Sequence, residues 1–156
     1  MIATTSSDEK AKRLAELGAK HVINYEKTPE WSSAVKDLTP GKRGVDIVVD
    51  VGGDNTLGES VKAVRQDGLV VAAGLVAGPA TEENEKPALL SALWNLCIVR
   101  GVLLGTRNQF KEMNRFVDDK GLSMAVDDQV FKLQGAKDAY VRLESQKHFA
   151  KVVIRF

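Results

Sequence analysis

An α/β fold with a mostly parallel sheet is what this sequence predicts, on three observations. Strand-like and helix-like periods alternate along nearly all of its 156 residues. The run Val45-Asp46-Ile47-Val48-Val49-Asp50-Val51 is almost continuously β-branched, as suits a strand covered on both faces. Glycines follow three of the strand-like segments directly, at Gly52-Gly53, at Gly74 and at Gly105, where an open parallel sheet turns away from its carboxyl edge.

The opening segment, Met1-Ile2-Ala3-Thr4, reads as a short first strand. Ser6-Ser7-Asp8-Glu9 has the spacing of a capping box, with Glu9 three residues after Ser6, so a helix starts there. Its buried face is Ala11, Leu14, Ala15 and Gly18, and Gly18 ends it before a strand at 21–24. Thr28-Pro29 supplies a cap and a first-turn proline to a second helix striped by Trp31, Ala34, Val35 and Leu38, which Pro40-Gly41 stops. After the strand at 45–51 come a helix at 57–64, a turn at Asp67-Gly68 and a strand at 69–73. Residues 77–86 read as an exposed loop, and Pro87 opens a helix through Leu89, Leu90, Leu93 and Trp94 that leads to a strand at 98–104. A helix at 109–119, a less regular segment ending at Leu133, a helix at 136–145 and a strand at 151–155 complete the chain.

The composition, 44% hydrophobic and 28% charged, is that of a packed domain and not of a disordered or fibrous chain. Its 22 basic and 21 acidic side chains are interspersed, which leaves no footprint for nucleic acid or an anionic membrane. No apolar run approaches the roughly 20 residues of a transmembrane helix, and no signal-like segment opens the chain, so the expected location is cytoplasmic. Cys97, the single cysteine, can form neither an internal disulfide nor a zinc cluster, and its neighbours Leu93, Trp94, Leu96 and Ile98 point to buried packing. His21 and His148 stand far apart and read as structural or surface histidines. No G-x-G-x-x-G turn, Walker loop, G-x-S-x-G elbow or H-E-x-x-H helix occurs.

Taken in order, several stretches resemble the zinc-type alcohol dehydrogenase and quinone oxidoreductase branch of the medium-chain dehydrogenase/reductase family. They are Ile2-Ala3-Thr4-Thr5-Ser6-Ser7-Asp8-Glu9-Lys10, Leu17-Gly18-Ala19-Lys20-His21-Val22-Ile23-Asn24-Tyr25 and Gly44-Val45-Asp46-Ile47-Val48-Val49-Asp50-Val51-Gly52-Gly53. Residues 68–74, Arg100-Gly101-Val102-Leu103-Leu104-Gly105 and His148-Phe149-Ala150-Lys151-Val152-Val153-Ile154 extend the likeness over essentially the whole chain.

The resemblance implies an incomplete Rossmann-like, doubly wound parallel sheet over 1–156, a partial NAD(P)-binding domain. The family's strand order is 3-2-1-4-5-6 and Met1 to Thr4 matches its second strand. The first strand, the glycine-rich phosphate turn and the first helix are therefore expected to be missing, along with the catalytic domain. Residues 147–156 correspond to the strand that returns toward that domain, here without its usual partner. A gap in mid-sheet is expected to be closed by a shifted strand or by a homo-oligomer.

The implied activity is hydride transfer between NADP(H) and an alcohol, aldehyde, ketone or quinone, with this chain as the cofactor-binding part and inactive alone. The alternative is a truncated, non-catalytic module for binding or oligomerisation. Thr5 stands where NAD-preferring members carry an acidic residue, and Thr5, Ser6, Ser7 and Lys10 resemble the set that accepts the 2′-phosphate of NADP(H). Val51, Gly52, Leu75, Val102 and Leu104 would lie along the adenosine and nicotinamide-ribose path. No residue stands out as a proton donor, and zinc, whether or not the parent enzyme uses it, would not be bound by this chain.

Overall fold

The structure, a computed structural model, describes residues 1–78 and 90–156. The expected loop at 77–86 beyond residue 78, and the helix start from Pro87 through Leu89, lie outside the described residues. The chain divides into two compact units, Met1–Leu104 and Gly105–Phe156.

The first unit runs β1 (Ile2–Thr5), α1 (Asp8–Glu16), β2 (His21–Asn24), α2 (Trp31–Asp37), β3 (Val45–Asp50), α3 (Asp54–Ala63), β4 (Val64–Ala72), α4 (Ser91–Trp94) and β5 (Ile98–Gly101). Its strands form two sheets, β1-β2 and β3-β4-β5, and every pairing is parallel. These correspond to the 3-2 and 4-5-6 parts of the expected order. Among the described residues no strand pairs across to join them: β1 and β3 are not paired with each other.

Local chemistry shifts several boundaries. Ser7, not Ser6, caps α1, its Oγ accepting from the Lys10 N–H at 3.4 Å. The Ser7 N–H donates to Thr5 Oγ1 at 3.3 Å, which holds Ser7 extended and delays the first helical turn by one residue. The expected buried face of α1 is not buried: Ala15 and Gly18 are exposed, and no residue of the helix is fully covered. A two-stranded sheet is too narrow to cover it.

Helix α2 begins at Trp31, past Thr28-Pro29, and its N-cap Glu30 makes no side-chain cap. The Ser32 N–H, left open by that start, donates instead to the carboxylate of Glu59 on α3 at 3.0 Å. Trp31 and Val35 of α2, Ile23 of β2 and Ala63 of α3 form one buried cluster, rimmed by Ile2, Tyr25, Ala34 and Val45. This cluster joins the two sheets.

Strand β3 is covered on one face only, contrary to its β-branched run. Val48 packs with Val61, Val64 and Val70 beneath α3, whereas Ile47 and Val49 are 60% and 67% exposed. The reason is the absence, among the described residues, of a layer on that side. Strand β4 begins earlier than expected, at Val64 opposite Val45, and carries the Asp67-Gly68 kink inside it, with Asp67 at φ +56° and a register shift in the pairing. Strand β5 ends at Gly101, level with the end of β4, and leaves Leu103 and Leu104 exposed.

The second unit runs α5 (Arg107–Asp119), β6 (Val126–Lys132), α6 (Ala136–Glu144) and β7 (Lys151–Arg155). A capping box between Thr106 and Gln109 starts α5. β6 lies in the segment read as irregular, and β7 pairs with it in parallel, so the closing strand does have a partner within the chain. Asp127, 3% exposed, accepts from the Arg142 guanidinium at 2.7 and 3.0 Å, from the Gln129 N–H at 3.0 Å and from the Phe149 N–H at 2.7 Å. One carboxylate thus ties β6, α6 and the approach to β7.

Candidate functional site

Parallel strands deliver their carboxyl ends to one edge, and the expected ligand-facing residues fall there in two groups. At the end of β3, Asp50 is buried and accepts from the Gly53 N–H at 2.9 Å, Thr56 Oγ1 at 2.7 Å and Ser60 Oγ at 2.5 Å. The turn into α3 is therefore fixed from below.

Val51, Gly52 and Leu75 lie side by side. The Val76 N–H donates to the Val51 carbonyl at 3.0 Å and the Ala77 N–H to the Gly52 carbonyl at 3.1 Å. Gly53, at φ +86°, would place a Cβ 2.6 Å from Leu75 Cδ2, and Gly74 would place one 2.7 Å from the Val51 carbonyl. These glycines serve the approach of one strand end to the next, and the space beside them is filled by the protein's own atoms. Val102 joins this group through its N–H, which donates to the Ala72 carbonyl at 2.9 Å. Leu104 stands past the end of β5 and is 87% exposed.

The second group surrounds the end of β1. Thr5 is buried, Ser6 is exposed, and Ser7 and Lys10 are half-buried at the first turn of α1. The Asp8 carboxylate accepts from Asn24 Nδ2 at 2.7 Å and pairs with Lys27. The hydrogen bond from Lys27, then that from Asn24, hold its carboxyl below the ordinary value. Sequence reasoning missed this cluster, as it missed the Asp50 hub. A signal for the hub existed: Thr56 and Ser60 are four apart on one helix face, behind an aspartate at the end of an apolar strand.

The end of β1 with the first turn of α1 suits the ribose end of a dinucleotide, because hydroxyls and an ammonium stand at a helix N-terminus. The pyrophosphate would need a glycine-rich turn that the sequence does not contain. Zinc does not fit. Cys97 packs on Val61, Val64 and Val70, burial pushes its thiol pKa up, and among the described residues no three His, Cys, Asp or Glu side chains are grouped to hold a metal. No helix among the described residues is long and apolar enough to cross a membrane.

A sequence model described as zinc-binding dehydrogenase matches residues 1–119. The zinc-type alcohol dehydrogenase-like protein of Schizosaccharomyces pombe is 36% identical over 152 residues, covering 97% of this chain and 43% of that protein. The quinone oxidoreductase of Salmonella typhimurium is 30% identical over 154 residues, covering 94% of this chain and 46% of its own length. Among solved structures, a Sinorhizobium meliloti protein assigned as an alcohol dehydrogenase superposes with TM-score 0.84 at 34% identity, over 99% of this chain and 43% of that one. An NAD-dependent alcohol dehydrogenase gives TM-score 0.82 at 28% identity, again over 99% and 43%. The chain spans less than half the length of each.

Proposed function

This chain belongs to the zinc-binding dehydrogenase family, and from that premise we propose that it is the cofactor-binding part of a cytoplasmic NADP(H)-dependent oxidoreductase acting on an alcohol, aldehyde, ketone or quinone. When bound, the nicotinamide supplies the hydride chemistry, and the residues of this chain position it. Thr5, Ser6, Ser7 and Lys10 hold the ribose bearing the 2′-phosphate. Val51, Gly52, Leu75, Val102 and Leu104 line the path toward the nicotinamide.

The observation that carries the NADP(H) reading is the end of β1, where a buried neutral hydroxyl stands at the foot of a helix N-terminus. A carboxylate there would accept the two ribose hydroxyls of NAD and repel a phosphate. Asp8, the nearest helical carboxylate in sequence, is already engaged by Lys27 and Asn24. Titration of the chain with 2′,5′-ADP and with 5′-AMP separates the cofactors: tighter binding of 2′,5′-ADP is expected, and equal or reversed affinities overturn the NADP(H) assignment. Loss of NADPH oxidation by the intact parent protein with every aldehyde and quinone tried would remove the enzymatic reading altogether.

A second reading, a non-catalytic module that assembles with its own copies, is favoured by one observation, the bare apolar face of the β3-β4-β5 sheet. Saturable dinucleotide binding at micromolar concentration by the chain itself would speak against it.

A further inference from the structure

The opposite, amino-terminal end of the β3-β4-β5 sheet carries a cleft of about 460 Å³ lined by Lys36, Arg43, Val64, Arg65, Trp94 and Asn95, together with Gln66. Its volume falls within the range of about 300–1,000 Å³ common for small-molecule sites. Lys36 closes α2, Arg43 precedes β3, Arg65 and Gln66 stand at the start of β4, and Trp94 ends α4. Four separate segments thus bring three cations and one indole to a single hollow.

Its charge is not balanced internally. Arg43 and Arg65 share one carboxylate, Asp46, at 3.3 and 2.6 Å. Lys36 is half-buried and makes no ion pair among the described residues, while the neighbouring Asp37 is engaged by Lys42 at 2.8 Å. Trp94 is 78% exposed, an unusual setting for so large an apolar ring. An indole face beside cations is the chemistry that stacks a planar ring while the cations take an attached anion.

The geometry points to this cleft as a binding site for a small aromatic ligand bearing a phosphate or another compact anion, separate from the dinucleotide end of the sheet. The anion meets Lys36 and those guanidinium N–H groups of Arg43 and Arg65 that are not given to Asp46 and the Gln66 carbonyl, and the ring lies against Trp94. The inference does not depend on the proposed cofactor preference, since none of these residues belongs to either strand-end group.

Phenyl phosphate is the probe, and the indole N–H resonances of the chain's two tryptophans, Trp31 and Trp94, are the readout. Trp31 is buried and acts as the internal reference. Titration is expected to move the Trp94 signal saturably and leave Trp31 in place. Loss of one charge-assisted contact in Lys36→Ala is expected to weaken binding roughly tenfold, and Lys12→Ala, which removes an exposed cation of α1 outside the cleft, is expected to leave it unchanged. Absence of a saturable Trp94 shift, unaltered affinity in Lys36→Ala, or an equal loss of binding in Lys12→Ala overturns the site. Inorganic phosphate binding as tightly as phenyl phosphate overturns the role of the ring.

Discussion

Asp127 accepts four hydrogen bonds while almost wholly shielded from water, and the Arg142 guanidinium beside it holds its carboxyl well below the usual carboxylate range. In the unfolded chain the same group titrates near about 3.9. A depressed folded value means that this stabilisation is complete above the unfolded pKa and is lost as the pH falls below it toward the folded one. Protection of the Phe149 amide against hydrogen exchange is therefore expected to hold at neutral pH and to drop in acid. Asp127→Asn is expected to destabilise the second unit by about 2–3 kcal/mol, because a buried charged hydrogen-bond network loses its anion, and to flatten the acid limb; chemical denaturation at several pH values checks both. At the other end of the chain, Thr5→Asp is expected to shift preference from 2′,5′-ADP toward 5′-AMP by roughly tenfold or more, on the strength of a charge-assisted interaction, as read by calorimetry.

Helices and strands show the same economy of partners. Glu59 of α3 supplies to α2 the cap that α2's own N-cap residue does not provide, and it also bonds Lys62 at 2.9 Å. Burial opposes its charge, but the bonds from Ser32 and Lys62 prevail and hold its carboxyl below the ordinary value. Glu59→Ala is expected to cost about 1 kcal/mol, the usual worth of a cap, with the thermal midpoint as the measure. Gly53→Ala, at φ +86° and against Leu75, is expected to cost more and to disturb the β3–α3 turn, visible as lost protection of the Gly53 amide.

Periodicity located most of these elements because their partners are near in sequence. The strand at 21–24 and the closing strand at 151–155 match to the residue. The strand over 126–132 escaped because Val-Asp-Asp-Gln-Val-Phe-Lys buries an aspartate where a pattern reading expects an apolar side chain. Ser7 replaced Ser6 as a cap through a contact from Thr5, which spacing does not reveal. Of the candidate site, the strand-end glycines and the hydroxyls of α1 were legible. The Asp50 hub and the Asp8–Lys27 pair were not, since each depends on tertiary approach.

At the scale of the whole molecule, the widest consequence among the described residues comes from the three-stranded sheet, where Ile47, Val49 and Ile98 are exposed and register sets Ile47, Leu69 and Ile98 in one row. Such a face favours association. The chain alone is expected to show a concentration-dependent mass in sedimentation, and Ile47→Lys with Val49→Lys to shift it toward the monomer; a monodisperse monomer at all concentrations would contradict this.

Parallel pairing also carries a kinetic consequence. Each strand finds its neighbour across a single crossover: Ile2 meets His21, Ile47 meets Leu69, Leu69 meets Ile98 and Val126 meets Lys151. Among the described residues, no strand pairing joins the first unit to the second. Loop closure is therefore short-range at every step, and each pair can form as soon as its own crossover has left the ribosome. Synthesis can proceed past Leu104 without any strand of the first unit waiting for a sheet partner in the second.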